Sequence, residues 1–279
     1  MSNRLRRSRE KVHVRHRFPA IAIAAALVLL VAAGCNTNSG EKAGADLPQG
    51  AETVDLDPED STTRIDNPYW PMDPGTRWIY REVDEEGNEQ KVVVTVSDQT
   101  KKIANGVTAR VVRDTVTQDG ELIEDTFDWY AQDKEGNIWY LGENTAEFEN
   151  GKLVTRGGSF EAGVDGALPG IIMPADPEDG MKYRQEYYKG EAEDNGEVLS
   201  TDEMAQVPAG QFDNALLTKD TITLEPNVLE YKLYARGVGP VLTLGVSGGP
   251  VGHEDLIKLD TASPKETEQA GTAPLGAAR

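Results

Sequence analysis

Turn-forming residues recur at regular intervals between residues 85 and 151, and this spacing constrains the fold more than any other feature. Five turn segments contain Gly87, Gly106, Gly120, Gly136 and Gly151, which are separated by 19, 14, 16 and 15 residues. Asn-Gly and Asp-Gly pairs favour hairpin turns because both residues tolerate a positive φ. The segments between the turns, such as KVVVTVSD and NIWYLGEN, are rich in β-branched and aromatic residues. The pattern predicts a meander of antiparallel strands.

Alternation of apolar and polar residues supports this prediction. Phe127 and Trp129 fall on one face of their predicted strand and Asp128 falls on the other, as in a half-buried sheet. Further strand candidates follow between residues 183 and 259, and no long segment has the 3.6-residue periodicity of a helix. A flat sheet of this size would expose edges that promote aggregation. We therefore predict a mainly β fold, either a strongly curved antiparallel sheet or an open β-barrel with a long ordered Gly/Pro-rich loop.

The predicted loop covers residues 157–181. Its glycines and its three prolines prevent long regular structure, but it is too apolar to be a solvated linker. We predict that it folds over the sheet as a lid or contact surface. The residues expected to contact a ligand there are Phe160, Ile171, Ile172, Met173 and, in the segment KYRQEYY, Tyr187. The alternative for the tyrosines is that they fill the amphipathic surface of a sheet.

The N-terminal 34 residues have the organisation of an export signal. Residues 1–17 carry seven basic side chains and one acidic side chain, and residues 21–34 form an apolar run of 14. Such a run is too short to span ~30 Å of hydrocarbon comfortably, but it fits the core of a signal peptide. The run ends in Ala-Ala-Gly directly before Cys35, the sole cysteine, and this motif resembles the bacterial lipoprotein signal, or lipobox.

The lipobox resemblance implies that Cys35 carries a lipid such as palmitate and becomes the first residue of the mature protein. Two acyl signals suffice for stable membrane anchoring. The alternative is an ordinary signal peptide followed by an incidental cysteine. With a lipidated Cys35, we expect an extracytoplasmic protein that is anchored to the bacterial cell membrane or envelope through its lipid.

Composition divides the chain into four parts. Residues 1–34 are the predicted signal peptide and residues 67–260 the predicted antiparallel β domain. Residues 35–66 and 261–279 are rich in small and polar residues and poor in aromatic residues, so they bury too little apolar surface to offset the entropy cost of ordering. We predict a disordered tether in the first of these segments and a disordered tail in the second.

The charge of the chain excludes one class of partner. The net charge is −20, and residues 35–279 alone contain 21 basic and 47 acidic residues, a formal charge of −26. Such a surface repels phosphate groups. We therefore expect no nucleic-acid binding, and we expect contact with the membrane through the lipid rather than through a basic surface.

Four segments resemble an uncharacterised family of bacterial envelope lipoproteins: NPYWPMDPGTRWIYR, GVDGALPGIIMPADPEDG, VPAGQFDN and YARGVGPV. The resemblance extends from about Asn67 to Val246. It supports the extracytoplasmic location, and it implies no catalytic residues.

The sequence contains one match to a catalytic motif, and its context does not support catalysis. Residues 245–249, GVSGG, match the G-x-S-x-G pattern, but a serine nucleophile needs a strand before it and a helix after it, and His253 is the single histidine beyond the signal. A glycine-rich hairpin turn is the favoured interpretation.

Metal sites are also poorly supported by the sequence. One histidine and one acylated cysteine cannot form a zinc site. Acidic turns at residues 133–135 and 176–179 could bind calcium weakly, but solvated turns are the simpler interpretation. We expect no cofactor and no metal.

Three functions remain open from the sequence. We favour a non-enzymatic binding or assembly module for a protein partner, an apolar ligand or a glycan ligand. The alternative is a hydrolase of envelope polymers that uses carboxylates near Asp125 and Asp128, beside Trp129 and Tyr130. A purely structural role is the third.

Overall fold

The computed structural model describes residues 47–84, 87–248 and 251–277. Cys35 and the predicted signal peptide lie outside the described residues, so their assignment stays a prediction. None of the helices in the described ranges combines the length and the apolar character needed to cross a membrane.

The described chain consists of short and long strands, one α-helix and one 3₁₀-helix at Pro58–Asp60. The strands are β1 (Ser61–Thr62), β2 (Thr76–Asp84), β3 (Glu89–Lys102), β4 (Thr108–Gln118), β5 (Glu121–Asp133), β6 (Ile138–Glu149), β7 (Lys152–Thr155), β8 (Phe160–Glu161), β9 (Gly170–Met173), β10 (Lys182–Tyr188), β11 (Ala192–Val207), β12 (Gly210–Ile222), β13 (Leu229–Ala235), β14 (Gly239–Ser247) and β15 (Val251–Thr261), and the helix is α1 (Pro264–Thr272).

All fifteen strands belong to one antiparallel sheet. Its main path runs β10-β11-β12-β13-β14-β15-β2-β3-β4-β5-β6-β7, while β1 pairs with β5, and β8 and β9 pair with β6. Strands make up 59% of the structure, and the sheet is open and not closed into a barrel. The prediction of a mainly β fold built on an antiparallel sheet is confirmed.

The hairpin turns explain why these residues form adjacent strands. Asp119 and Gly120 both have positive φ, 52° and 84°, between β4 and β5. Asn150 and Gly151, at 52° and 70°, have the same arrangement between β6 and β7. These are the angles of the tight hairpin turns that match the twist of the flanking strands. The turns therefore bring sequence neighbours together as sheet neighbours.

The Gly/Pro-rich loop is ordered, as predicted, and it connects two distant parts of the sheet. Its strand β9 pairs with β6, and Leu168 forms a single backbone bridge to Tyr187 on β10. The contact is tight, because a Cβ atom on Gly170 would lie 2.0 Å from the carbonyl oxygen of Gln185. The loop thus covers the space between β6 and β10.

The C-terminal segment corrects the predicted disordered tail. Ser263 and Glu266 form a capping box at the start of α1, with Ser263 N donating to Glu266 Oε2 at 2.8 Å. The helix packs on β3 and β4 and buries Thr267 and Ala270. The prediction of disorder for residues 261–279 is wrong for this helix, because the cap and a few buried contacts stabilise a polar helix of low mean hydropathy.

The structure also corrects the part of the predicted tether that it describes. Residues 47–66 are part of the ordered structure: β1 pairs with β5, and Ile65 is buried. Arg184 on β10 is fully buried and donates to the carbonyl oxygens of Gly50, at 2.6 Å, and Glu52, at 2.7 Å. These contacts fix a polar segment against an edge strand, which composition alone does not indicate.

Candidate binding cavity

A cavity of ≈ 210 Å³ lies on one face of the sheet, and we call it the inner cavity. Its walls come from β2, β3, β4, β5, β9, β13, β14 and β15 and from the segment that precedes β2. The residues that define its chemistry are Trp70, Tyr130, Tyr234, Asp114, Lys232 and Glu254. Strands far apart in the sheet order face one another here, so the sheet is strongly curved. We call the face that lines the cavity the inner face.

Three aromatic rings form one wall of the inner cavity. The Trp70 ring centroid lies 5.8 Å from those of Tyr130 and Tyr234, with interplanar angles of 50° and 52°. The backbone around Trp70 is held by Asn67, whose side-chain amide donates to the carbonyl oxygen of Pro174 at 3.0 Å. Gly239 leaves room for the indole, since a Cβ there would lie 2.9 Å from Trp70 Cδ1. The wall is therefore pre-formed by its surroundings.

Tyr130 presents a polar group to the inner cavity. Its ring stacks on Tyr140 at 5.0 Å, and its side chain is 7% exposed. Its hydroxyl makes no hydrogen bond to any residue in the described ranges. Buried hydroxyl groups usually have a partner. This hydroxyl is available to a molecule in the cavity.

Two carboxyl groups stand at the edge of the inner cavity. Asp114 Oδ1 is buried without a hydrogen-bond partner among the described residues. Burial and the nearby carboxylates, Asp128 first, raise the pKa of Asp114 well above its usual range. Burial, with a smaller contribution from Glu82, raises the pKa of Glu254 to about 7. Both groups therefore hold protons more readily than exposed carboxylates do.

A second, larger cavity of ≈ 720 Å³ adjoins the first, and we call it the acidic cleft. Asp114 and Glu254 line both cavities. Further acidic side chains line the cleft, and none of its described lining residues is basic; the acids are Glu82, Asp84, Glu124, Glu147 and Glu149. The two adjoining cavities therefore have a strongly negative electrostatic potential.

Tyr140 joins two carboxyl groups beside the inner cavity. Its hydroxyl oxygen lies 2.8 Å from Asp128 Oδ1 and 2.6 Å from Glu143 Oε2. The hydroxyl has one proton, so it can donate to one carboxylate, and the other contact needs a proton on the carboxyl group. Burial is the main cause that raises the pKa of both acids. The three groups therefore titrate as a unit.

The ligand contacts predicted in the loop mostly lie in the core. Phe160, Ile171 and Met173 are buried in the hydrophobic cluster, and the Phe160 ring meets the edge of Tyr140 at 5.6 Å. Ile172 lines the inner cavity. Tyr187 is half-buried and contacts the loop through its backbone. The structure thus brings one of the five predicted residues to the cavity.

Asp125 and Asp128 do not form the catalytic pair that the hydrolase hypothesis requires. They are three residues apart on β5, so their side chains point to opposite faces of the sheet. Asp125 forms a buried ion pair with Arg113 and accepts a hydrogen bond from Gly276 N at 2.8 Å. Asp128 faces the inner cavity. This version of the hypothesis is wrong.

The G-x-S-x-G segment lies at a strand end and not at a nucleophile elbow. Ser247 is the last residue of β14 and donates to the carbonyl oxygen of Asn227 at 2.7 Å. The next described element is the strand β15, whereas a nucleophile elbow requires a helix directly after the serine. His253 lies on β15 and pairs with Leu244 across the hairpin. The described residues also contain no cluster of three or more metal-binding side chains.

Sequence reasoning missed most residues of the inner cavity. Trp70, Lys232, Tyr234 and Glu254 come from four separate parts of the chain. Trp70 was inside a recognised segment, NPYWPMDPGTRWIYR, and its flanking prolines were the available signal. The acids on the inner face resemble solvated strand residues in sequence, so nothing local marked them.

Comparison with known proteins finds two distant structural similarities. One is a candidate exported protein with a YmcC-like fold from Bacteroides fragilis NCTC 9343, with 16% identity, a TM-score of 0.42, and coverage of 69% of this chain and 99% of the other. The second is a candidate lipoprotein from Parabacteroides distasonis ATCC 8503, with 15% identity, a TM-score of 0.37, and coverage of 69% and 98%. No model of a known protein family matches the chain, and no curated protein matches it. These similarities are too distant to assign the chain to a family.

Proposed function

We propose that this protein is a lipid-anchored extracytoplasmic binding protein that receives a small, hydrogen-bond-donating ligand in the inner cavity. The observation that carries the proposal is a pre-formed aromatic wall next to two unpartnered polar atoms, the Tyr130 hydroxyl and Asp114 Oδ1. Asp114 Oδ1 is buried, and a buried polar atom without a hydrogen-bond partner costs free energy that a donor on a ligand would recover.

The carboxyl groups favour a polar ligand over an apolar one. An apolar molecule would supply no hydrogen bond to the carboxyl oxygens of Asp114 and Glu254, and an acceptor such as Asp114 Oδ1 that stays buried without a partner costs about 1–3 kcal/mol. A ligand with hydroxyl or amino groups would donate to the same oxygens. Its apolar faces would contact the aromatic wall. Of the ligand classes expected from sequence, a glycan therefore fits this cavity better than a lipid.

The location rests on the signal sequence. A lipid on Cys35 would hold the acidic body outside the cytoplasmic membrane, since the residues after the signal carry a formal charge of −26 and offer no basic surface to anionic lipids. Radiolabelled palmitate should enter the wild-type protein but not the Cys35→Ser variant. Equal labelling of both would contradict the anchor without affecting the cavity.

The binding activity can be tested with the full-length protein in detergent. Saturation-transfer NMR against a panel of sugars, amino sugars and polyamines should detect at least one ligand. Trp70→Ala should abolish the signal, because it removes the centre of the aromatic wall. The control is Trp129→Ala, since Trp129 lies outside the cavity and faces Lys101. Equal loss in both variants, or binding that survives Trp70→Ala, would contradict the site.

A second candidate function is hydrolysis by a general acid, and the pair Asp128 and Glu143 favours it. The two groups share Tyr140, and burial raises the pKa of both, which is the direction that a general acid needs. A hydrolase screen on envelope polysaccharides should then show activity that Asp128→Asn removes. No activity, or activity that is unchanged in Asp128→Asn, would leave the binding function as the better explanation.

A further inference from the structure

We infer that the ligand of the inner cavity carries an organic ammonium group. This inference rests on the proposed function, because it names the chemistry of the molecule that the cavity would bind. Three separate features point to a cation: the charge of the cavity, the unoccupied aromatic rings and the orphan acceptor atoms.

The charge around the inner cavity is not balanced by the chain. Lys232 is the basic residue among the described residues that line the inner cavity, and its Nζ lies 3.0 Å from Asp220 Oδ2. It is therefore already paired. Asp114 and Glu254 face the acidic cleft, whose described lining residues include no base. In the described part of the chain, neither carboxyl group forms an ion pair with a basic side chain, and a bound cation would supply one.

The pKa values of the acids show the electrostatic cost of this arrangement. Burial raises the pKa of Glu82 to about 6 and that of Glu254 to about 7. The groups that act on Glu254 are Glu82 on β2, Glu230 and Lys232 on β13, and Thr243 on β14. A bound cation would lower these pKa values and release protons. A neutral ligand would not relieve the repulsion.

The aromatic wall offers faces to which a cation can bind. Elsewhere the chain places its own cations on aromatic rings, with Lys101 Nζ 4.5 Å from the Trp129 centroid and Arg236 Cζ 4.2 Å from the Tyr69 centroid. In the described part of the chain, no cation occupies Trp70, Tyr130 or Tyr234 in this way. Several rings around one small space are typical of sites for organic ammonium groups.

The orphan acceptors match the donors of an ammonium group. A primary ammonium has three N–H donors and no acceptor. Asp114 Oδ1 and the Tyr130 hydroxyl oxygen are both without a donor in the described ranges. A metal ion fits less well, because the described residues hold no group of three or more metal-binding side chains.

A matched pair of probes isolates the charge. Cyclohexylamine, protonated at pH 8, and cyclohexanol have the same ring and differ in the ammonium group. We expect the full-length protein in detergent to bind cyclohexylammonium at least tenfold more tightly than cyclohexanol, by saturation-transfer NMR titration. Glucose serves as a neutral ligand rich in hydroxyl groups.

Variants then locate the contact. Asp114→Asn and Glu254→Gln should each weaken cyclohexylammonium binding at least fivefold and cyclohexanol binding by a clearly smaller factor, because the amide oxygen still accepts from a hydroxyl but carries no negative charge. Glu203→Gln removes the same charge from an exposed position on β11 and should change affinity less than twofold. Circular dichroism of each variant verifies folding. An equal effect of Glu203→Gln would show a nonspecific charge effect and overturn the inference.

The outcomes separate the two proposals. If glucose or cyclohexanol binds at the Trp70 wall as tightly as the ammonium probe, the ammonium inference is overturned and the binding function stands. If no probe binds and the wider panel also fails, both are overturned. A preference for cyclohexylammonium that disappears in Asp114→Asn supports both.

Discussion

The two faces of strands β4 and β5 handle buried charge in opposite ways. On the outer face, Arg113 and Asp125 form a fully buried ion pair, and Arg113 Nη1 also donates to the carbonyl oxygen of Ala273 at 2.6 Å. On the inner face, the adjacent residue Asp114 has a buried oxygen without a partner in the described chain. One step along a strand therefore separates a satisfied network from an unsatisfied one.

This difference indicates what each face is selected for. The outer face is covered by α1, which packs on β3 and β4, and the buried charges of Arg113 and Asp125 there both have partners. The inner face keeps acidic groups next to one another around an open space. Proteins retain such local conflicts mainly where function requires them. This difference is why we propose the inner face as the binding surface, while the outer face contributes to stability.

The largest effect should come from breaking the outer network. Arg113→Ala leaves Asp125 buried without its cation, so we expect a loss of about 3–5 kcal/mol in the free energy of unfolding, measured by urea denaturation. Arg81→Ala is the matched control, because Arg81 pairs with Asp255 at a half-exposed site and should cost less than about 1 kcal/mol. Similar losses in both variants would show that burial does not set the contribution of the Arg113–Asp125 pair.

The pH dependence of stability should be next in size. Glu82 and Glu254 have raised pKa values, about 6 and about 7, so the folded state binds more protons than the unfolded state between about pH 4.5 and 7. Stability should therefore decrease by about 2–3 kcal/mol as the pH rises from 5 to 8. Urea denaturation at four pH values measures this. Glu254→Gln should make the free energy of unfolding less dependent on pH. An increase in stability between pH 5 and pH 8 would contradict the prediction.

The outer face should show the opposite dependence in acid. Hydrogen bonds from Arg77 lower the pKa of Asp260 to about 2. The ionised Asp260 carboxylate therefore stabilises the folded state above about pH 4, and this stabilisation is lost as the pH falls toward 2. Together, the two faces predict maximal stability near pH 5. In Arg77→Ala, the free energy of unfolding should decrease less as the pH falls from 4 to 2, and its pH dependence between 5 and 8 should be unchanged.

A smaller effect with the opposite sign is expected on the inner face. Asp114→Asn removes a charge that burial and neighbouring acids disfavour, so it should stabilise the protein by about 1 kcal/mol at pH 8. Asp125→Asn on the outer face should destabilise it, because the asparagine cannot replace the buried carboxylate. Thermal denaturation of both variants gives the comparison. Destabilisation by Asp114→Asn would mean that this acid has a structural role.

The smallest effect should come from the cap of α1. Ser263→Ala removes the acceptor for Glu266 N and should cost about 0.5–1 kcal/mol. Because α1 covers the outer face, hydrogen exchange near Arg113 should also rise. Ser263→Asp retains a capping acceptor and should restore both the stability and the exchange rate. If exchange near Arg113 is unchanged in Ser263→Ala, the helix does not protect the ion pair.

Local chemistry made part of the fold predictable. The turns at Asp119-Gly120 and Asn150-Gly151 depend on two residues each, so their positions could be read directly from sequence. The cap of α1 was equally local, since Ser263 and Glu266 have capping-box spacing, but the polar composition of the segment masked it. Local signals are sufficient where the structure is determined locally.

The candidate site was beyond this kind of reasoning. Trp70 and Tyr234 are neighbours in the aromatic wall although 164 positions separate them in the chain. The apolar character of Phe160 and Met173 predicted burial, which is correct, but could not distinguish a core contact from a ligand contact. Contacts of this range depend on sheet curvature, which no short segment specifies.

The short stretch of chain between Cys35 and the first described residue limits how far a lipid-anchored protein could reach from the membrane. Eleven residues separate Cys35 from Leu47, and fully extended they span at most about 40 Å. A chain acylated at Cys35 would therefore sample a thin layer next to the bilayer rather than the full depth of the surrounding compartment. Its target would have to come to that layer, by diffusion or by residence at the membrane surface.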